Sequence, residues 1–118
     1  MIRLISNERG DTPHVEAYRT LRSNLQYVCN QHKCKIICIT AATSGEGTSE
    51  VAANTALALS KNNNKVLLVD GNLRNPVQHV AFNVQNKGLT NAVIMDEDLT
   101  IHRNIVPHLD VLLSLIHI

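Results

Sequence analysis

From Pro13 onward, apolar residues recur at intervals of three and four. Val15, Tyr18, Leu21, Leu25 and Val28 share one side of a helical wheel, and the spacing predicts an amphipathic helix over 13–32. Pro13 suits the start, because a first-turn residue has no use for an amide hydrogen. Residues 35–40, Lys-Ile-Ile-Cys-Ile-Thr, read as a strand buried on both faces. A glycine-bearing loop follows over 41–48. A second helix is predicted over 49–61, with Val51, Ala52, Thr55, Ala56 and Leu59 on one face. After the polar break at 61–64, residues 65–70 read as a second buried strand, ending in Asp70. Glycine and proline within 71–76 stop that strand. Residues 88–95 read as a short helix and 109–113 as a third apolar strand. Strand, loop, helix, strand, helix, strand is the alternation of an α/β layer with a parallel sheet. Without internal repeat or linker, this is one domain or part of one.

Composition narrows the classes. At 118 residues the chain falls just short of one ordinary domain, and 44% hydrophobic with 18% charged residues is a globular mixture. A net charge of +1 supplies no field for nucleic acid or an anionic membrane. Tyr18, Tyr27 and Phe82 are the only aromatic side chains, too few for a base-stacking platform. No run reads as a transmembrane segment, and Arg3, Glu8 and Arg9 interrupt any signal-peptide core at the N-terminus. Cys29, Cys34 and Cys38 form no C-x-x-C pair. Cys38 is expected to be a small buried hydrophobe, and His32, Cys34 and Cys38 fit no usual zinc spacing. Reduced cytosolic thiols are the simplest account.

The candidate chemistry lies after the strands. Of five glycines, Gly45, Gly47 and Gly71 follow predicted strand ends. A glycine-rich turn opening a helix presents backbone amides and a positive helix end to an anion. Residues 42–49, Ala-Thr-Ser-Gly-Glu-Gly-Thr-Ser, fit the phosphate-loop pattern at Gly47 and Ser49 and fail it at the lysine, which is Thr48. An ordinary strand-to-helix turn would read the same. Parallel neighbours deliver their C-terminal ends to one edge of a sheet, which brings Asp70 to the loop, where Asp70 and Ser49 could share Mg²⁺. The alternative is that Asp70 caps the turn after it.

Three segments in register carry a resemblance: Glu16-Ala-Tyr-Arg-Thr-Leu-Arg22, then Ser44-Gly-Glu-Gly-Thr-Ser-Glu50, then Val66-Leu-Leu-Val-Asp-Gly-Asn-Leu-Arg-Asn-Pro76. Together with Gly88-Leu-Thr90, they resemble the bacterial tyrosine kinases (BY-kinases) of capsule and exopolysaccharide assembly across residues 13–112. The resemblance implies the N-terminal part of a P-loop NTPase-like parallel sheet of the MinD/ParA/BY-kinase type, preceded by an amphipathic helix. On it, Gly45, Glu46, Gly47, Thr48, Ser49 and Glu50 form the Walker A loop that binds ATP, with Ser49 and Asp70 holding Mg²⁺. Asp70, Asn72 and Arg74 match the Walker A′ pattern D-x-D-x-R, Asp70 and Asn72 being its catalytic positions. Glu16, Arg19 and Arg22 match the E-x-x-R-x-x-R helix through which family members form homo-oligomers; the alternative there is a solvated helix flank with one ion pair. A membrane polysaccharide co-polymerase is the implied activating partner, and the inner face of the bacterial membrane the implied location.

Three departures fall on the site. Thr48 replaces the lysine that neutralises phosphate charge, and transfer of a phosphoryl group depends on such positioning and electrostatics. Asn72 replaces an aspartate and cannot accept a proton as a base. Glu50 stands where a small hydroxyl residue is common, and its carboxylate is expected to compete with bound phosphate. The family's Walker B strand and tyrosine-rich tail are not in the sequence, and residues 113–118, Leu-Ser-Leu-Ile-His-Ile, resemble a translated sequencing adapter. The native part is therefore expected to be a partial kinase-like domain over 1–112, containing the helix at 13–32, a strand, loop and helix at 35–61 and the Walker A′ region at 65–76. The expectation is a kinase-like fragment of weak or absent activity. The rivals are a non-catalytic nucleotide-binding or oligomerising scaffold and a MinD/ParA-type ATPase, which would carry a second loop lysine that is missing at Ala42 and Thr43.

Overall fold

A computed structural model of the chain describes residues 3–8, 10–42, 47–62, 64–70, 78, 82 and 101–112. A short 3-10 helix, Ile5–Asn7, precedes α1 (Pro13–His32) and α2 (Thr48–Ser60), followed by β1 (Val66–Val69), β2 (Ile101–Val106) and β3 (Leu109–Leu112). The predicted helix at 88–95 and the tail at 113–118 lie outside the described residues.

α1 starts where Pro13 places it. The Thr12 hydroxyl caps it, accepting the Val15 amide at 3.2 Å. The apolar stripe is buried unevenly. Val15 is in the core and Tyr18 packs against it, whereas Val28 at the far end is 49% exposed.

α2 departs from the one-faced helix expected. Ala53, Asn54, Thr55, Ala56, Leu57, Ala58 and Ser60 are buried around its whole girth, while Val51, Ala52 and Leu59 are only half-buried. Four alanines across the helix let α1, the N-terminal segment and the sheet approach it from different sides. Asn54 makes that approach possible for the N-terminal segment. Its Oδ1 accepts the Ile5 amide at 2.8 Å and its Nδ2 donates to the Arg3 carbonyl at 2.8 Å. One side chain thus satisfies two backbone groups that would otherwise stand unpaired beside the core.

The sheet has the order β1-β3-β2. β1 runs parallel to β3, in register from Val66↔Leu109 to Val69↔Leu112. β2 is antiparallel to β3, so the sheet is mixed where a parallel one was expected. Only Pro107 and His108 separate β2 from β3, far too few residues for a parallel crossover. His108 accordingly takes a left-handed φ of 69° to reverse the chain. Leu68, Leu109 and Val111 face the core with Leu57 of α2. Leu67 and Val69 are 50% and 48% exposed, so β1 is buried on one face and not on two.

The strand predicted at 35–40 does not form. These residues pair with no strand, Ile36 is 89% exposed, and Cys38 is exposed where a buried thiol was expected. A β-branched run favours a strand only through packing on neighbours, and no strand among the described residues receives this one.

Candidate functional site

Gly47 opens α2 with φ 77°, a left-handed conformation that side-chain-bearing residues avoid. A Cβ there would meet nothing within 4 Å, so the backbone angle, and not space, calls for glycine. The helix ladder begins with the Val51 amide on the Gly47 carbonyl at 3.0 Å, which leaves the amides of the first turn without ladder partners. Half-buried Thr48 and Ser49 occupy that turn.

Asp70 follows β1 directly and is 7% exposed. Its Oδ2 accepts the Gln78 amide at 3.3 Å, while Gln78 Nε2 donates to the Ser49 carbonyl at 2.9 Å. The strand end and the first turn of α2, which the sequence placed together by topology, are thus tied through one glutamine. Gln78 is 3% exposed, and its Oε1 is a buried acceptor without a donor. Asp70 and Gln78 Oε1 are both oxygen donors, the type that Mg²⁺ takes. Sequence reasoning missed Gln78 because no periodicity or motif surrounds it.

Glu50, in the first turn of α2, reaches the N-terminal segment. Its Oε1 accepts the Arg3 amide at 3.2 Å and lies 3.9 Å from His14 Nε2. The carboxylate is therefore engaged with the N-terminal segment and α1. Glu8 anchors the same junction. It pairs with Arg3, accepts the Thr12 hydroxyl at 2.8 Å and meets His14 Nδ1 at 3.1 Å. Burial pushes the Glu8 carboxyl up, but Thr12, His14 and Arg3 together outweigh it and hold the group below its ordinary value.

On α1, Glu16 and Arg19 pair at 2.6 Å on the exposed side, and Arg19 also reaches Asp11 at 2.7 Å. Arg22 does not join them. Its guanidinium donates to the Ala58 carbonyl at 3.1 Å, in the last turn of α2, where a cation offsets the negative helix end. Gly45, Glu46, Asn72 and Arg74 lie outside the described residues. Among those described, no three metal-capable side chains converge. A 370 Å³ cleft lined by Lys65, Leu67, Arg103, His108 and Asp110 sits at the opposite end of β1 from Asp70 and plays no part in this site.

These elements define an α/β unit in which a strand-end carboxylate meets the start of a glycine-capped helix. No protein-family profile matches the sequence. The chain is 38% identical over 102 residues to tyrosine-protein kinase YwqD of Bacillus subtilis, covering 84% of this chain and 43% of that protein. Its fold is similar to that of the chimerical protein CapA2B2, with a TM-score of 0.77 at 31% identity, over 93% of this chain and 50% of the other. It is also similar to the BceF tyrosine kinase domain, with a TM-score of 0.81 at 26% identity, over 94% of this chain and 46% of the other. Its curated relatives are bacterial tyrosine-protein kinases, and the chain spans half or less of the length of each of the three proteins just described.

Proposed function

We propose that this chain carries the nucleotide end of an ATP-dependent protein-tyrosine autokinase-like protein of capsule or exopolysaccharide synthesis, with phosphoryl transfer weak or absent. The observation that carries the reading is the Ser49–Gln78–Asp70 linkage at the start of α2, in a chain related to tyrosine kinases. In this reading the amides from Gly45 to Ser49 hold phosphate, and Ser49 and Asp70 hold Mg²⁺. Bound ATP·Mg²⁺ supplies the phosphoryl group and screens its charge. Thr48 offers a hydroxyl and no positive charge, and Asn72 offers an amide that cannot take the tyrosine proton. The partners are further copies of the chain, through Glu16 and Arg19 on the open side of α1, and a membrane polysaccharide co-polymerase. No described helix is long and apolar enough to cross a membrane. In this reading the chain works on the inner face of the membrane, beside that partner.

The second reading, a non-catalytic scaffold, is favoured by Thr48 and Asn72 together. Calorimetry with ATP·Mg²⁺ on the chain and on Thr48→Lys separates the two. Weak binding strengthened by the lysine supports a phosphate site disabled at one position. Tight binding without transfer supports the scaffold. No binding by either chain overturns the phosphate site and leaves only the α1 interface.

A further inference from the structure

α1 ends at Lys33, which takes a left-handed φ of 53°. The next amide, that of Cys34, donates back to the Cys29 carbonyl at 3.0 Å. This six-to-one hydrogen bond closes a Schellman turn, in which the side chain after the left-handed residue packs on one in the last helical turn. Here those two side chains are Cys29 and Cys34. Along an uninterrupted helix, residues five apart face different directions, so the left-handed turn is what folds this pair together. The neighbouring Cys34 thiol first, then burial, pushes the Cys29 thiol above its ordinary value. Both cysteines are half-buried, open enough to meet a small reagent, and neither takes part in the site at Asp70.

We propose that Cys29 and Cys34 are a modification site, an oxidisable dithiol that closes to an intramolecular disulfide when a low-molecular-weight disulfide such as oxidised glutathione is the oxidant. The Cys34 thiolate attacks one sulfur of the oxidant, breaking its S–S bond and expelling one glutathione thiolate. Cys29, whose ionisation is disfavoured, then gives up its proton and attacks the Cys34 sulfur of the mixed disulfide. The second glutathione thiolate leaves as the Cys29–Cys34 bond forms. Two electrons pass from the protein to the glutathione pair, and the two thiol protons go to the departing thiolates. The bond would lock the left-handed turn and fix the direction in which residues 35–40 leave α1.

The test uses the full chain with Cys38→Ser, equilibrated with graded ratios of oxidised to reduced glutathione, then acid-quenched and mapped by mass. The expected product has lost two hydrogens. After trypsin, which cuts at Lys33, the Cys34 peptide stays attached to the Cys29 peptide. Native buffer is expected to give an effective thiol concentration about tenfold or more above that in urea, because the turn prepays the ordering. Lys33→Val, which penalises the left-handed turn, is expected to lower that concentration, and Lys33→Gly to keep or raise it. Persistent free thiols or two separate glutathione adducts would overturn the proposal. So would equal closure in urea, or indifference to both Lys33 substitutions, since then the turn does not make the site.

Discussion

In the proposed reading, a single missing ammonium decides how the start of α2 treats a phosphate. Thr48 is half-buried in the first turn, beside Ser49 and next to the left-handed Gly47. One preorganised group at a transferring centre is worth about 10²–10³ in rate. Thr48→Lys is therefore expected to raise phosphoryl transfer to a tyrosine peptide by about that factor, read with labelled ATP. Because residues acting as a unit are not additive, Thr48→Lys with Asn72→Asp should exceed the product of the two single effects. A second prediction concerns Glu8. Folding lowers its pKa, so folding favours the ionised carboxylate. The resulting stability is fully present above the ordinary value of 4.5 and is lost as pH falls through the lower folded value. Glu8→Gln should therefore melt below the parent near neutral pH, and the gap should close in acid. A gap independent of pH would mean that Glu8 acts through shape and not charge.

At the level of elements, α2 is the hub, and its one buried amide holds the N-terminal segment against it. Asn54→Ala strands the Ile5 amide and the Arg3 carbonyl. Each unsatisfied buried group costs roughly 1–3 kcal/mol. The urea midpoint of the variant should fall accordingly, with the helical signal of α1 retained. Much of this layout was legible from periodicity: α1 from its stripe and Pro13, the span of α2, and β1 and β3 from short apolar runs. The girth-wide burial of α2 was not, because alanine, asparagine, threonine and serine carry little hydrophobic contrast. β2 hid because His102, Arg103 and Asn104 break any apolar run, and its pairing comes from the turn at Pro107 and His108. The error at 35–40 is the converse, a strong local preference without a partner to receive it. That the end of β1 lies beside the start of α2 was legible from motif and topology. Gln78, which joins them, leaves no local signature, and the inward turn of Arg22 depends on α2 being alongside.

For the molecule as a whole, the decisive feature is a sheet covered by α2 on one side only among the described residues. Leu68, Leu109 and Val111 are buried on that side, while Leu67 and Val69 are about half exposed on the other, and Ile36 and Tyr27 are 89% and 66% exposed elsewhere. Apolar area open to water contributes nothing to folding and favours association, by roughly 25 cal/mol for each Å² that another surface covers. β1 has β3 on one edge and no described strand on the other, which leaves it able to pair with a second chain. The chain alone is thus expected to associate as its concentration rises, measured by light scattering and sedimentation velocity. Leu67→Lys with Val69→Thr should suppress that association. Because neither side chain is buried, the unfolding free energy from urea titration should change by no more than about 0.5 kcal/mol per substitution. A large loss of stability without a gain in solubility would show instead that the outer face of β1 is already covered within the folded chain.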